Sequence, residues 1–84
     1  MMLTVSVISP ERVLFEGQAG SVVAPGHDGE LGILPGHAPL MTVLGRGVLR
    51  LDGADAGSRF QVQGGFMQVV DNVVRVVTES ATQL

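Results

Sequence analysis

His27, Asp28, Glu30 and His37 form the one close grouping of side chains in this sequence with the donors to ligate a metal or move protons. Two imidazoles and two carboxylates match the nitrogen and oxygen ligands that Zn²⁺ or a non-haem metal accepts. Their spacing argues against a closed site. There is no His-x-His pair of the kind a cupin-like small barrel carries, and no later His or Cys completes a ligand set. Solvated loop or interface groups are the plainer reading of all four, so no metal site is assigned. A small β-barrel that binds a metal or small ligand through them is the alternative.

Other catalytic arrangements are missing. Ser6, Ser9, Ser21, Ser58 and Ser80 lie in strand-like or turn-like stretches without a Gly-x-Ser-x-Gly elbow, and there is no cysteine nucleophile. Gly45-Arg46-Gly47 and Gly64-Gly65 lack the following Gly-Lys-Ser/Thr of a phosphate loop and open no GxGxxG helix. A chain of 84 residues also has little room beside its core for a ligand cavity of ~300 Å³. The reading is a non-catalytic chain without a cofactor.

These residues need a scaffold, and the composition indicates its kind. The chain, 1–84, reads as one domain whose stability rests on packing, since no disulfide or thiolate metal site is available. Hydrophobic residues make up 45% but aromatics only 4%, a Val, Leu, Ile, Ala and Met content that suits interdigitated sheets better than base or ligand stacking. The net charge is −3, with no lysine and five scattered arginines, which argues against nucleic acid as a partner. No apolar stretch approaches the ~20 residues that cross a bilayer, so no direct membrane insertion is expected, and the N-terminus lacks the basic region of a signal peptide.

Period-2 alternation recurs along the chain. Leu3, Val5 and Val7 share one face, Val13 and Phe15 share a face opposite Leu14, and Ser21 to Ala24 forms another short run. Leu49 and Leu51 point inward against Arg50 and Asp52, Asp52 to Gly57 reads as a hairpin turn, and Phe60 and Val62 alternate with Gln61 and Gln63. Phe66 to Val70 is a strand, Asp71-Asn72 a turn, and Val73 to Thr78 closes the set. No window carries the i, i+3, i+4, i+7 pattern of a helix, so the expected class is all-β with little or no helix. Apolar residues on both faces of the last two strands read either as central strands of a two-sheet sandwich with a partly covered outer face or as a face that docks on another subunit, for which Phe66, Val69, Val70, Val73 and Val77 are the candidates. Without that partner, the exposed strands and edges can pair with a copy of the chain.

Between the strand-like runs lies a segment dense in Gly and Pro, running from Ala24 to Pro39. Pro25, Gly26, Gly29, Gly32, Pro35, Gly36 and Pro39 leave it few backbone paths, and it reads as a stiff, shaped loop. Within it, Gly29-Glu30-Leu31-Gly32-Ile33, one residue, and Pro35-Gly36-His37-Ala38-Pro39 resemble the signature of the epsilon subunit of F-type ATP synthases, in its N-terminal β-sandwich domain. Leu40-Met41-Thr42 leading to Gly47-Val48-Leu49-Arg50-Leu51, then Gly64-Gly65-Phe66-Met67-Gln68-Val69, and the end from Asn72 through Ala81 continue the likeness over nearly the whole chain.

The resemblance implies a flattened two-sheet sandwich of about ten short strands. It implies a role in the rotor: the family's domain is clamped to the gamma subunit and rests on the polar loops of the membrane c-ring, passing ring rotation to the catalytic head. On this resemblance Glu30 and His37 face the c-ring loops, and the domain lies on the cytoplasmic face of the bacterial plasma membrane as a peripheral part of the synthase. With no lysine here, a contact through Glu30 requires a basic group on the ring. The family's C-terminal helical hairpin is not matched, so its inhibitory and ATP-binding roles are not carried over. A generic sandwich adaptor is a third reading, one that gives the Gly/Pro/His segment no special purpose.

Overall fold

The computed structural model describes residues 1–53 and 58–84. Ten strands follow one another: β1 Leu3–Ile8, β2 Val13–Ala19, β3 Ser21–Gly26, β4 Gly29–Ile33, β5 Leu40–Val43, β6 Arg46–Asp52, β7 Ser58–Gln63, β8 Phe66–Val70, β9 Val73–Val77 and β10 Ser80–Gln83. They form two five-stranded sheets, the first ordered β2-β1-β9-β8-β5 and the second β10-β7-β6-β3-β4. There is no helix among the described residues, so the expected all-β sandwich is the fold.

Alternation places the core. Leu3, Val5 and Val7 of β1, Met67 and Val69 of β8, and Val74 and Val76 of β9 turn inward from the first sheet. Val22, Ala24, Leu49, Leu51, Phe60 and Val62 meet them from the second. The Phe15 and Phe60 rings stand edge to face, with centroids 6.4 Å apart and planes at 67°. β1 and β9 pair in parallel, which lets the N-terminal strand enter the middle of the first sheet; every other strand pairing is antiparallel. Asp71 and Asn72, at φ 49° and 64°, make the two-residue turn between β8 and β9, a conformation that Asp and Asn tolerate better than most residues.

Several sequence expectations change. Half of the Gly/Pro/His segment is not loop: β3 and β4 form a hairpin around His27-Asp28, with Pro25 opposite Glu30 and Gly26 opposite Gly29. Pro25 is tolerated because it stands beyond the last β3–β6 register pair, Val23 with Arg50, where its missing N–H breaks no rung. At β2, a register irregularity between Val7 and Ile8 puts Val13 opposite Ile8 and Phe15 opposite Val7. This inserted residue turns Val13 outward while Phe15 stays inward, so the two do not share a face. Nor does Val73 to Thr78 close the set, since β10 follows and pairs with β7. The hairpin turn expected over Asp52 to Gly57 lies at 54–57 outside the described residues.

Where the chain crosses from the first sheet to the second, Thr78 is the one buried polar residue among those described. Its N–H donates to Ile8 O at 2.9 Å, while its Oγ1 lies 2.9 Å from Gly64 O and 3.0 Å from Ser80 O. The crossing is crowded: Gly65, at φ 104°, packs so closely on Val77 and Thr78 that a Cβ there would lie 2.6 Å from Thr78 Cα. Only glycine meets both demands.

Candidate functional site

Each sheet turns an outer face to solvent, and the two faces differ. On the second sheet Glu30 of β4, Arg46 and Arg50 of β6, and Arg59 and Gln61 of β7 point outward, with Val23 of β3 and Val48 of β6 half-buried among them. Arg50 Nε donates to Asp52 Oδ2 at 2.9 Å. That hydrogen bond and the carboxylate's charge raise the Arg50 pKa above its ordinary value, and Glu30 adds to the effect from the neighbouring part of the face.

The hairpin carrying Glu30 and the turn carrying His37 are held at separate points. At the hairpin tip, His27 N–H donates to Val43 O at 3.0 Å, and a Cβ on Gly26 would come within 2.6 Å of Gly29 O, so the tight turn requires a glycine there. At the other end of β4, His37 N–H donates to Leu34 O at 3.1 Å and Gly36 N–H to Asn72 Oδ1 at 2.7 Å. Asn72 thus ties this turn to the β8–β9 turn, and its own C=O accepts from Thr4 N–H at 2.8 Å. His37 Nδ1 is 2.7 Å from Ala38 O, which orients the ring. Pro35 and Gly36 belong to this turn, Gly32 to β4, and Pro39 directly precedes β5.

Glu30 and His37 are both exposed, but they are not brought together. Four steps of strand separate Glu30 from Leu34, about 13 Å of chain. His27 and Asp28 stay near Glu30 at the hairpin tip, away from His37. Among the described residues no three His, Cys, Asp or Glu side chains converge on a point.

The first sheet's outer face is different. One row crosses all its strands in register: Val43 beside Phe66, Phe66 beside Val77, Val77 beside Ile8, and Ile8 beside Val13. Every member is apolar. Val43 and Val13 are 61% and 53% exposed, and no described residue covers them. The next row is Met41, Gln68, Arg75, Ser6 and Glu16, and beyond it come Val70, Val73, Thr4 and Gln18. Of the expected partner-face residues, Phe66, Val70, Val73 and Val77 lie here. Val69 does not. It is 1% exposed and points into the core, because alternation puts it on the same side as Met67. Sequence reasoning missed Ile8, Val13, Val43, Met41 and Arg75. The polar/apolar alternation of each strand hints at its outward residues, but the row depends on the β1–β9 pairing between distant segments.

Comparison with known proteins gives this arrangement a context. Residues 2–84 match the family described as the ATP synthase delta/epsilon chain, β-sandwich domain. The chain is 48% identical over 77 residues to the ATP synthase epsilon chain of Leptospira borgpetersenii, covering 92% of this chain and 61% of that one. It is 46% identical over 76 residues to the epsilon chain of Syntrophomonas wolfei, covering 89% of this chain and 56% of that one. It therefore spans less than two thirds of the length of these curated relatives. In fold it is similar to a chain in the structure of the Euglena gracilis mitochondrial ATP synthase (OSCP, F1 and c-ring), with a TM-score of 0.89 at 21% identity, covering 98% of this chain and 53% of that one. A chain in the central stalk/c-ring structure of the Tetrahymena thermophila mitochondrial enzyme gives a TM-score of 0.80 at 17% identity, with 98% and 66% covered. With the family match running through all ten strands, the chain belongs to the ATP synthase delta/epsilon chain β-sandwich family.

Proposed function

We propose that residues 1–84 act as one folded unit in the central stalk of an ATP synthase, coupling the gamma subunit to the c-ring and doing no bond chemistry. The observation that carries this reading is the apolar row Val43, Phe66, Val77, Ile8 and Val13, which spans an entire sheet of a chain in this family. A face of this kind on a small domain is stabilised by a partner that removes it from water. Docking of the first sheet on the gamma subunit accounts for it.

The polar hairpin and turn then serve the other contact. Glu30 and the His37 turn meet the polar loops of the c-ring, and the tie from Gly36 to Asn72 keeps the turn stiff enough to pass on torque. The spread between Glu30 and His37 means that the ring contact is a strip along β4 instead of a single point. The domain works on the cytoplasmic face of the bacterial plasma membrane as a peripheral part of the complex. Among the described residues no helix is long and apolar enough to cross a membrane.

The test is calorimetric titration of the purified chain with the gamma subunit of the same synthase. One-to-one binding with a negative ΔCp is expected, since apolar burial lowers the heat capacity. A folded chain that leaves the gamma subunit unbound refutes the reading.

A further inference from the structure

Arg75 stands in the middle of the first sheet's outer face, in the row next to the apolar one. Shallow hollows of about 330 Å³ and about 230 Å³, open to solvent and not enclosed beside the core, flank it, and both are lined by Val73 and Arg75 of β9. Thr4, Ser6, Gln18 and the carboxylate-bearing Glu16 help wall the first hollow; Gln68 and Val70 help wall the second. Among the described residues the only ion pair is Arg50 with Asp52 on the opposite sheet, so no carboxylate contacts Arg75. Glu16 shares the row but is on β2, beyond Ser6 of β1.

Docking on the apolar row covers this row too. Successive outward residues on a strand are about 7 Å apart, so a partner seated on Phe66 and Val77 reaches Gln68 and Arg75. A guanidinium that loses water without gaining an anion is strongly unfavourable, whereas one that meets a carboxylate in a fork-like pair becomes an anchor of the interface. Ser6 and Gln68 beside it are neutral.

We propose that Arg75 receives a carboxylate from the rotor partner, an Asp or Glu on a segment whose flanking side chains fill the two hollows. The proposal rests on the docking reading above and adds to it the residue that sets register and selects the partner. Arg75 is a positioning residue: a fork-like pair between a guanidinium and a carboxylate restricts how the partner's acid can align, while the apolar row contributes area without direction.

The experiment titrates the full chain with the gamma subunit at several salt concentrations, using wild type, Arg75→Gln, Arg75→Lys, Arg75→Glu and Glu16→Gln, with thermal melts as a check on folding. Arg75→Gln is expected to weaken binding by at least about 30-fold and to flatten its salt dependence, Arg75→Glu to weaken it further, and Arg75→Lys to recover part of the loss. Glu16→Gln should stay within about twofold of wild type. Wild-type binding that Arg75→Gln leaves within about threefold overturns the Arg75 assignment while the docking reading stands. A loss in Glu16→Gln equal to that in Arg75→Gln means that this chain supplies its own carboxylate, and it overturns the assignment as well. Absence of binding by folded wild type overturns the docking reading and takes the assignment with it.

Discussion

Removing the Thr78 hydroxyl isolates what holds the two sheets together at their crossing. Thr78 is 1% exposed, and its Oγ1 lies 2.9 Å from Gly64 O and 3.0 Å from Ser80 O. A hydroxyl has one proton, so it serves one of these carbonyls fully or both in part. Thr78→Val keeps the branched shape and replaces the donor with a methyl, leaving the carbonyls facing a carbon. The lost hydrogen bond is worth about 1 kcal/mol net, and a part-buried carbonyl left without a donor raises the total to about 1–3 kcal/mol. In a domain of this size each kcal/mol moves Tm by roughly 4–8 °C, which gives an expected drop of about 4–24 °C. Thr78→Ser keeps the donor and deletes one methyl, a loss of about 1 kcal/mol. Thermal unfolding followed by circular dichroism ranks the three proteins as wild type, then Ser, then Val. A Val variant within about 2 °C of wild type, or one more stable than Ser, refutes the argument that the hydroxyl staples the crossing.

Other perturbations separate core, turn and surface. Gly65→Ala should cost several kcal/mol, at least about 3, because a Cβ at φ 104° runs into the backbone of Val77 and Thr78; a soluble variant with a wild-type melt contradicts the packing described. Val69→Ala is expected to destabilise by about 1–3 kcal/mol and Val70→Ala by less than about 0.5, a contrast that denaturant unfolding reads directly and that vanishes if Val69 belongs to the outer face. Glu30→Lys should leave the melt unchanged and lower proton-driven ATP synthesis in membrane vesicles; undiminished synthesis refutes a ring contact through this residue.

The inward half of the fold was open to sequence reasoning because each residue's side is set locally. Leu3, Val5 and Val7, then Leu49 and Leu51, then Phe60 and Val62 alternate with polar neighbours, and all of them are buried. The Asp71-Asn72 turn is likewise a matter of two residue types that accept positive φ. What escaped depends on pairing at a distance. β10 has no apolar alternation to announce it, with only Ala81 half-buried, and exists because β7 offers it an edge. Val69 reads as an outer-face residue in the sequence because a run apolar on both sides conceals its own register. The irregularity at Ile8 turned Val13 to the opposite side, and in doing so completed the apolar row. Glu30 and His37 were legible as exposed polar groups in a constrained segment. Their separation was not, because Gly and Pro concealed the strand that parts them.

The account's central claim is that the first sheet's outer face meets the gamma subunit. Residues 1–84 contain no cysteine, so a single cysteine carrying a short photo-crosslinker reports one position of this domain at a time. Phe66→Cys lies in the apolar row, while Gln61→Cys lies on the second sheet's outer face. In the assembled synthase, position 66 is predicted to give a product with the gamma subunit and position 61 none. A gamma product from position 61 with none from position 66 would contradict the claim.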